Sequence, residues 1–195
     1  MTAPAPHTPA PCPPASAALG NSPEPARIDI ASDLLRRKNL AETIRSIPVG
    51  ERTDEQLAEL RRTDRANAEV LRSVVNDHGW PGAPLVGADA ARAAWLIALR
   101  SDDAEFQADA LAALAKAVTA GEAEPAWWAH LYDRSCALTG VKQWFGTQFQ
   151  NGPDGVEVYP VDDPENLDAR RAQYGLEPHE KKVAAVQQRH GGRAA

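Results

Sequence analysis

From Ile28 onward, apolar residues recur at three- and four-residue steps, the spacing that gives a helix one buried face. Asp33 to about Ile47 carries Leu34, Leu35, Leu40 and Ile44 and stops at Pro48, which predicts a first helix. A long helix opens at Thr53, where Thr53 and Gln56 have capping-box spacing, and runs to about Asp77 before Gly79. Trp80-Pro81-Gly82-Ala83-Pro84 reads as a loop. Three more helices are expected at Ala88 to Arg100, Asp103 to Thr119 and Pro125 to Leu138, with Gly121 and Gly140 as stops. Pro125 suits a first helical turn, where its missing N–H would have had no partner.

The rhythm changes after Gly140. Lys142 to Gln150 is rich in aromatics and turns through Asn151-Gly152-Pro153-Asp154-Gly155 into Val156-Glu157-Val158-Tyr159, which predicts one hairpin over about 142–160. If Gln143 to Gln150 is extended, Gln143, Phe145, Thr147 and Phe149 share one face, and Trp144, Gly146, Gln148 and Gln150 the other. Glycine inside a strand marks close approach by backbone or ligand, so Thr147 and Gln148 beside Gly146 are candidate ligand-reading residues; the bland alternative is a twisted surface ribbon. Asp163-Pro164-Glu165 has the cap, first-turn proline and early acid of a helix from about Pro164 to Tyr174, and a last helix begins near Pro178. The fold class is therefore mainly α: a compact single-domain helical bundle over 28–189 with one β-hairpin.

Composition adds the ends. Residues 1–27 hold Pro4, Pro6, Pro9, Pro11, Pro13, Pro14, Pro23 and Pro25, half of the 16 prolines, among Ala, Ser and Thr without an aromatic. Such a Pro/Ala-rich tail cannot bury enough apolar surface to offset its ordering entropy and is expected to be disordered. Residues 190–195 read as a flexible C-terminus. The tail lacks the basic and apolar regions of a secretory signal. No run of about 18 apolar residues is present, so no membrane span is expected. A net charge of −6 argues against nucleic-acid binding, which calls for a basic face. The two cysteines, Cys12 and Cys136, are too few for a disulfide scaffold, which places the chain in the cytoplasm; Cys136 reads as a small buried hydrophobe.

Polar residues on apolar stripes carry the functional signal. In the long helix, Leu57, Leu60, Asp64, Asn67, Leu71, Val74 and His78 line one stripe, and Asp64 and Asn67 interrupt it one turn apart. A buried carboxylate needs a cation, several donors or water, so Asp64 belongs either to a structural network or to a ligand site. His78 lies about 21 Å further along the axis, too far to share that site. Arg134 falls on the seam of Trp127, Leu131 and Leu138, and Gln107 begins the Leu111, Leu114, Val118 stripe. A buried Arg134 paired with Asp64 would explain both oddities.

Several chemistries are absent. There is no phosphate-binding glycine loop of Walker or dinucleotide type and no serine elbow. His7, His78, His130, His179 and His190 make no two-histidine metal pair at helical spacing, and His130 with Asp133 is a lone coincidence. Asp162, Asp163, Glu165 and Asp168 lack the pattern of a calcium loop. Neither metal nor cofactor is expected.

An ordered set of short motifs runs through the chain: His78-Gly79-Trp80-Pro81, Leu85-Val86-Gly87, Ala93-Ala94-Trp95-Leu96, Phe106-Gln107, Asp133-Arg134, Gln143, Phe145-Gly146-Thr147-Gln148, Asp163-Pro164-Glu165-Asn166, Asp168, Arg170-Arg171 and Gly175-Leu176. In order and spacing this resembles an uncharacterised bacterial domain-of-unknown-function family, over about residues 54–183. The resemblance implies no reaction, but it implies that Asp64, Asn67, Asp133, Arg134, Thr147, Gln148 and Arg171 belong to one polar cluster. Similar chains carry Gln-His-Ala-Asp where this one has Leu99-Arg100-Ser101-Asp102, so the histidine of relatives is absent here, and if it serves them as a general base the activity of this chain is altered or lost.

Two function classes follow. The first is a buried polar small-molecule site, with hydrolase- or lyase-type acid–base chemistry in metabolism. Asp64, Asp133 and Arg134 would be its catalytic groups, and Asn67, His78, Gln107, Gln143, Thr147, Gln148 and Arg171 would bind a small polar or anionic metabolite, the arginines holding its charge. The second is a non-catalytic interaction or accessory module using the tail or an exposed Trp127-Trp128 patch, or an inactive relative of an enzyme. The site reading requires Asp64, Arg134 and Gln148 to converge on one pocket.

Overall fold

The computed structural model of the protein describes residues 25–152 and 155–191. Of the tail expected over 1–27, residues 1–24 lie outside the described residues, whereas Ala26 and Arg27 are held in place by donating their N–H groups to the Pro84 and Leu85 carbonyls; of the C-terminus expected over 190–195, residues 192–195 lie outside and 190–191 belong to the last helix. Helix α1 (Ile28–Arg45) leads through a short 3-10 turn (Val49–Glu51) into α2 (Asp54–His78), followed by α3 (Ala83–Val86), α4 (Ala88–Arg100), α5 (Ala104–Thr119) and α6 (Pro125–Leu138). Strands β1 (Phe149–Gly152) and β2 (Gly155–Val158) form an antiparallel hairpin, and a 3-10 turn (Pro164–Asn166), α7 (Leu167–Gln173) and α8 (His179–Gly191) complete the chain. The mainly helical class with one hairpin is as the sequence predicts.

The long helix forms where its cap says it should. The Thr53 side chain accepts from the Gln56 N–H, and the Gln56 side chain accepts from the Thr53 N–H. Gly79 closes α2 at φ 74°, a left-handed conformation that a glycine adopts without a Cβ clash. Asp103 likewise caps α5 by accepting from the Phe106 N–H. Helix α1 differs from expectation. It begins at Ile28 rather than Asp33 because Ile30, Ala31 and Leu34 form its buried face, and no capping side chain marks that start. It ends at Arg45, and the segment read as an open loop after Gly79 contains α3, with Pro84 in its first turn.

Helix α4 is the axis of the core and packs against α1, α2, α3, α5 and α6. Its buried residues are Ala90, Ala91, Ala93, Ala94, Ile97 and Ala98, and side chains this small let neighbouring helices approach closely. The bulk comes from the partners: Leu34, Leu71, Phe106, Leu114 and Leu131 are 0–1 % exposed, and Trp80, Trp127 and Trp128 are also buried. Trp127 stacks on Trp95 at 5.6 Å between ring centroids, and the Trp95 indole N–H donates to the Trp127 carbonyl. With Trp127 and Trp128 inside the core, no exposed aromatic patch exists at that position.

The hairpin is shorter than predicted, running only from Phe149↔Val158 to Gly152↔Gly155, with an isolated parallel bridge between Gln143 and Val161. Residues 144–148 are not a strand, because Gly146 takes a left-handed φ of 65° that breaks the two-residue alternation. A Cβ at position 146 would lie 2.7 Å from the His179 ring of α8 and 3.4 Å from Leu167. Gly146→Ala therefore combines a disfavoured backbone with a clash against a part-buried ring. It is expected to lower stability by about 2 kcal/mol, read from the urea unfolding midpoint at unchanged slope.

Candidate functional site

The loop between α6 and β1 is held by buried polar side chains in place of a strand partner. Asp133, fully buried on α6, accepts from the backbone N–H groups of Trp144 at 2.8 Å, Phe145 at 2.9 Å and Thr147 at 2.8 Å. Arg171, 2 % exposed on α7, takes the carbonyls: it donates to Phe145 at 2.5 Å and Gly146 at 3.4 Å, and to Glu177 at 2.7 Å. Its neighbour Arg170 donates to the Trp144 carbonyl at 3.1 Å, pairs with Asp163 at 2.9 Å and lies 4.1 Å from the centroid of the Trp144 ring. Gln143 closes the loop on itself, accepting the Gln148 N–H and donating to the Gln148 and Tyr159 carbonyls. Burial pushes the Asp133 carboxyl above its ordinary range, against the pull of the backbone donors around it.

Five residues singled out from the sequence thus meet around one loop: Asp133, Gln143, Thr147, Gln148 and Arg171. The others are elsewhere. Asp64 is half-buried between α1 and α2, where Arg45 donates to both its oxygens at 2.6 and 2.5 Å; the expected partner Arg134 does not reach it. The i-to-partner spacing of α2 gives no hint of Arg45, which comes from the end of another helix. Asn67 meets Arg37 through the guanidinium and main-chain carbonyl, both at 3.4 Å. Gln107, fully buried, donates to the Ala98 and Ser101 carbonyls and so caps the end of α4. His78 is exposed and sits 3.1 Å from an Arg27 nitrogen. Asp64, Arg134 and Gln148 line none of the three clefts of about 490–580 Å³ seen among the described residues.

Both oxygens of Asp133 accept main-chain N–H groups, and the Thr147 side chain bonds to it as well, so the geometry gives it the part of a loop anchor. Beside the loop, however, a cleft of about 490 Å³ opens between α6, the hairpin and α8, lined by His130, Thr147, Gln150, Asn151 and Lys182 with apolar contributions from Phe149, Val156 and Val186. The His130 ring rests edge-on to Trp95 at 5.8 Å, and no side chain among the described residues hydrogen-bonds to it. Burial first, and then the nearby charges of Lys182 and Arg171, hold its pKa down at about 4. It is therefore a neutral imidazole at pH 7. The Thr147 hydroxyl accepts from the Gln148 amide, which reaches on toward the His130 carbonyl at 3.5 Å. His130 and Lys182 were not among the sequence candidates; the one signal for His130 was its place a single turn before Asp133, and Lys182 had none.

The family model of a family of unknown function, DUF6624, matches residues 29–194. The chain belongs to DUF6624. That match runs from the second residue of α1 through the remaining helices and the hairpin. No curated protein and no solved structure matches the chain. For this DUF6624 chain the chemistry must accordingly be read from its own residues. Among the described residues no three His, Cys, Asp or Glu side chains gather where an ion could be held, and no helix is long and apolar enough to cross a membrane.

Two consequences can be measured. Asp133→Ala strands three backbone N–H groups and leaves the loop without its anchor, and is expected to cost about 3–5 kcal/mol by chemical denaturation, with Asp133→Asn losing less because one oxygen remains. His130 gives a pH effect. Between its ordinary value of 6.5 and its folded value of about 4, the unfolded chain takes up a proton that the folded protein refuses. Its contribution to stability is therefore present above pH 6.5 and falls away as the pH drops through that window. His130→Gln should flatten the stability-versus-pH slope there relative to the parent chain.

Proposed function

We propose that the cleft between α6, the hairpin and α8 binds a small polar anion, and that His130 acts there as hydrogen-bond acceptor and base in an acid–base reaction of hydrolytic or lyase type. The observation that carries this reading is the His130 imidazole: neutral, without a partner among the described residues, and set in the cleft wall with Thr147 and Lys182. The acids on which the sequence reading leaned do not offer this. Asp64 is held by Arg45 and Asp133 by the loop main chain.

The electrostatics favour an anion. Lys182 lines the cleft, and Arg171, whose guanidinium is hydrogen-bonded to carbonyls, also acts on His130, although Asp168, Asp133 and Glu177 act on Arg171 in turn. A bound carboxylate or phosphate would offset those two charges. The same event would raise the His130 pKa toward neutrality, which makes the imidazole a better base when the ligand is present. Gln150 and Asn151, which line the same cleft, would orient the ligand, since the Thr147 hydroxyl is engaged by Asp133 and Gln148. The low cysteine content supports a cytoplasmic setting, and the family resemblance a bacterial one. A protein-partner role draws no support from Trp127 and Trp128, which are buried.

The test is an NMR titration of the His130 ring in the full chain against a panel of small carboxylates and phosphates. The free ring should titrate near pH 4 and move upward with at least one panel member, and Lys182→Gln should abolish that response. A ring that titrates near 6.5 in the free protein, or that no panel member moves, overturns the proposal.

A further inference from the structure

A second cleft has a different construction. Between α1 and α4 runs a groove of about 580 Å³ lined by Leu35, Lys38 and Glu42 on one side and Asp89, Arg92, Ala93, Leu96 and Arg100 on the other. Arg92 and Arg100 are eight residues apart on α4, about 12 Å along the helix axis, with Ala93 and Leu96 between them. The groove therefore carries cations toward both ends, with Glu42 beside Arg100 and Asp89 one turn before Arg92, and an apolar floor in the middle. Its cations are incompletely matched. Arg92 makes no ion pair among the described residues, and Arg100 reaches only one oxygen of Glu42, at 3.4 and 3.5 Å. Burial and then the neighbouring Arg45 disfavour the charge on Arg100, and the Arg45 Nε–H is buried with no acceptor. Glu42 and the Arg45-bound Asp64 offset part of this, but the long contact to Glu42 leaves the Arg100 guanidinium with hydrogen-bonding capacity for a second anion.

We infer that the α1–α4 groove is a binding site for an elongated organic dianion, of the dicarboxylate class, with one carboxylate at Arg100 and the other at Arg92 and Lys38. The intervening methylenes lie against Leu35, Ala93 and Leu96. Glu42 is the built-in competitor: half of its side chain is exposed, so it swings away when a ligand carboxylate takes the Arg100 guanidinium. The site is independent of the His130 cleft, since it uses other residues on α1 and α4.

Calorimetric titration of the full chain at fixed ionic strength, with linear dicarboxylates from succinate to suberate, tests this. Affinity should peak at one chain length, and the monocarboxylate of that length should bind about tenfold or more weakly. Arg100→Gln and, as an exposed second variant, Arg92→Gln should each weaken the best dicarboxylate about tenfold, whereas Glu42→Gln should tighten it. Lys182→Gln, in the other cleft, should change nothing, which separates failure here from failure of the His130 reading. Affinity that ignores chain length, affinity left at the parent level by Arg100→Gln or by Arg92→Gln, or no binding at millimolar dicarboxylate would overturn the inference.

Discussion

A carboxylate removed from water must be surrounded by donors, and in this protein Asp133 finds them in the main chain of the loop that follows its own helix. Arg171, equally buried, meets the same loop from α7 and takes its carbonyls. The two charges do not touch. Phe145 stands between them, giving its N–H to the carboxylate and its C=O to the guanidinium. The opposite charges are thus joined through polarised peptide groups, each of which would otherwise be a buried unpaired donor or acceptor. An irregular loop can sit in the interior on these terms, with Phe145 itself 1 % exposed among Trp128, Tyr132 and Tyr174.

This arrangement has an electrostatic consequence. Arg171 is hydrogen-bonded to carbonyls and forms no direct ion pair among the described residues, and although Asp168, Asp133 and Glu177 are near enough to act on it, its charge is felt at both His130 and His179. The helix that supplies Asp133 also supplies His130, and the loop that Asp133 anchors supplies Thr147. The same hydrogen bonds that keep the loop in place therefore set the width and polarity of the cleft beside it. Trp95, projecting from the alanine-rich α4, backs the imidazole and stacks on Trp127. A helix with larger residues at Ala90, Ala91 and Ala94 would hold α6 further away and open that wall.

Much of the fold was legible because its signals are local. The Thr53–Gln56 capping box, Pro125 in a first turn and Gly79, Gly121 and Gly140 as stops each depend on a few neighbouring residues, and the helices start and end accordingly. The early start of α1 was not legible, since tertiary burial of Ile30 and Ala31 holds it without a cap. Helix periodicity also identified Asp64 and Gln107 as polar groups needing partners, and it was right that they have them. It could not say which. Arg45 and the Ala98 and Ser101 carbonyls come from other helices, and pairing across elements is information that the spacing within one helix does not contain. The strand expected over Gln143 to Gln150 failed for a related reason: the alternation of side chains was present, but long-range bonds to Asp133, Arg170 and Arg171 replaced a ladder.

Polar residues inside a core divide into those whose hydrogen-bonding capacity is used and those whose capacity is spare, and only the second kind can do chemistry on a ligand. By that division Asp133, Gln143, Arg170 and Arg171 are construction, although their positions stand out most strongly in the sequence. The spare capacity lies nearby but on other side chains: the imidazole of His130, the ammonium of Lys182, and on a different face of α4 the guanidinium groups of Arg92 and Arg100. A sequence pattern that marks residues under the tightest physical constraint will mark the scaffold of a site before it marks the site itself. The distinction follows from counting donors and acceptors, and it is the reason the proposed sites are placed in the two clefts and not on the buried acids.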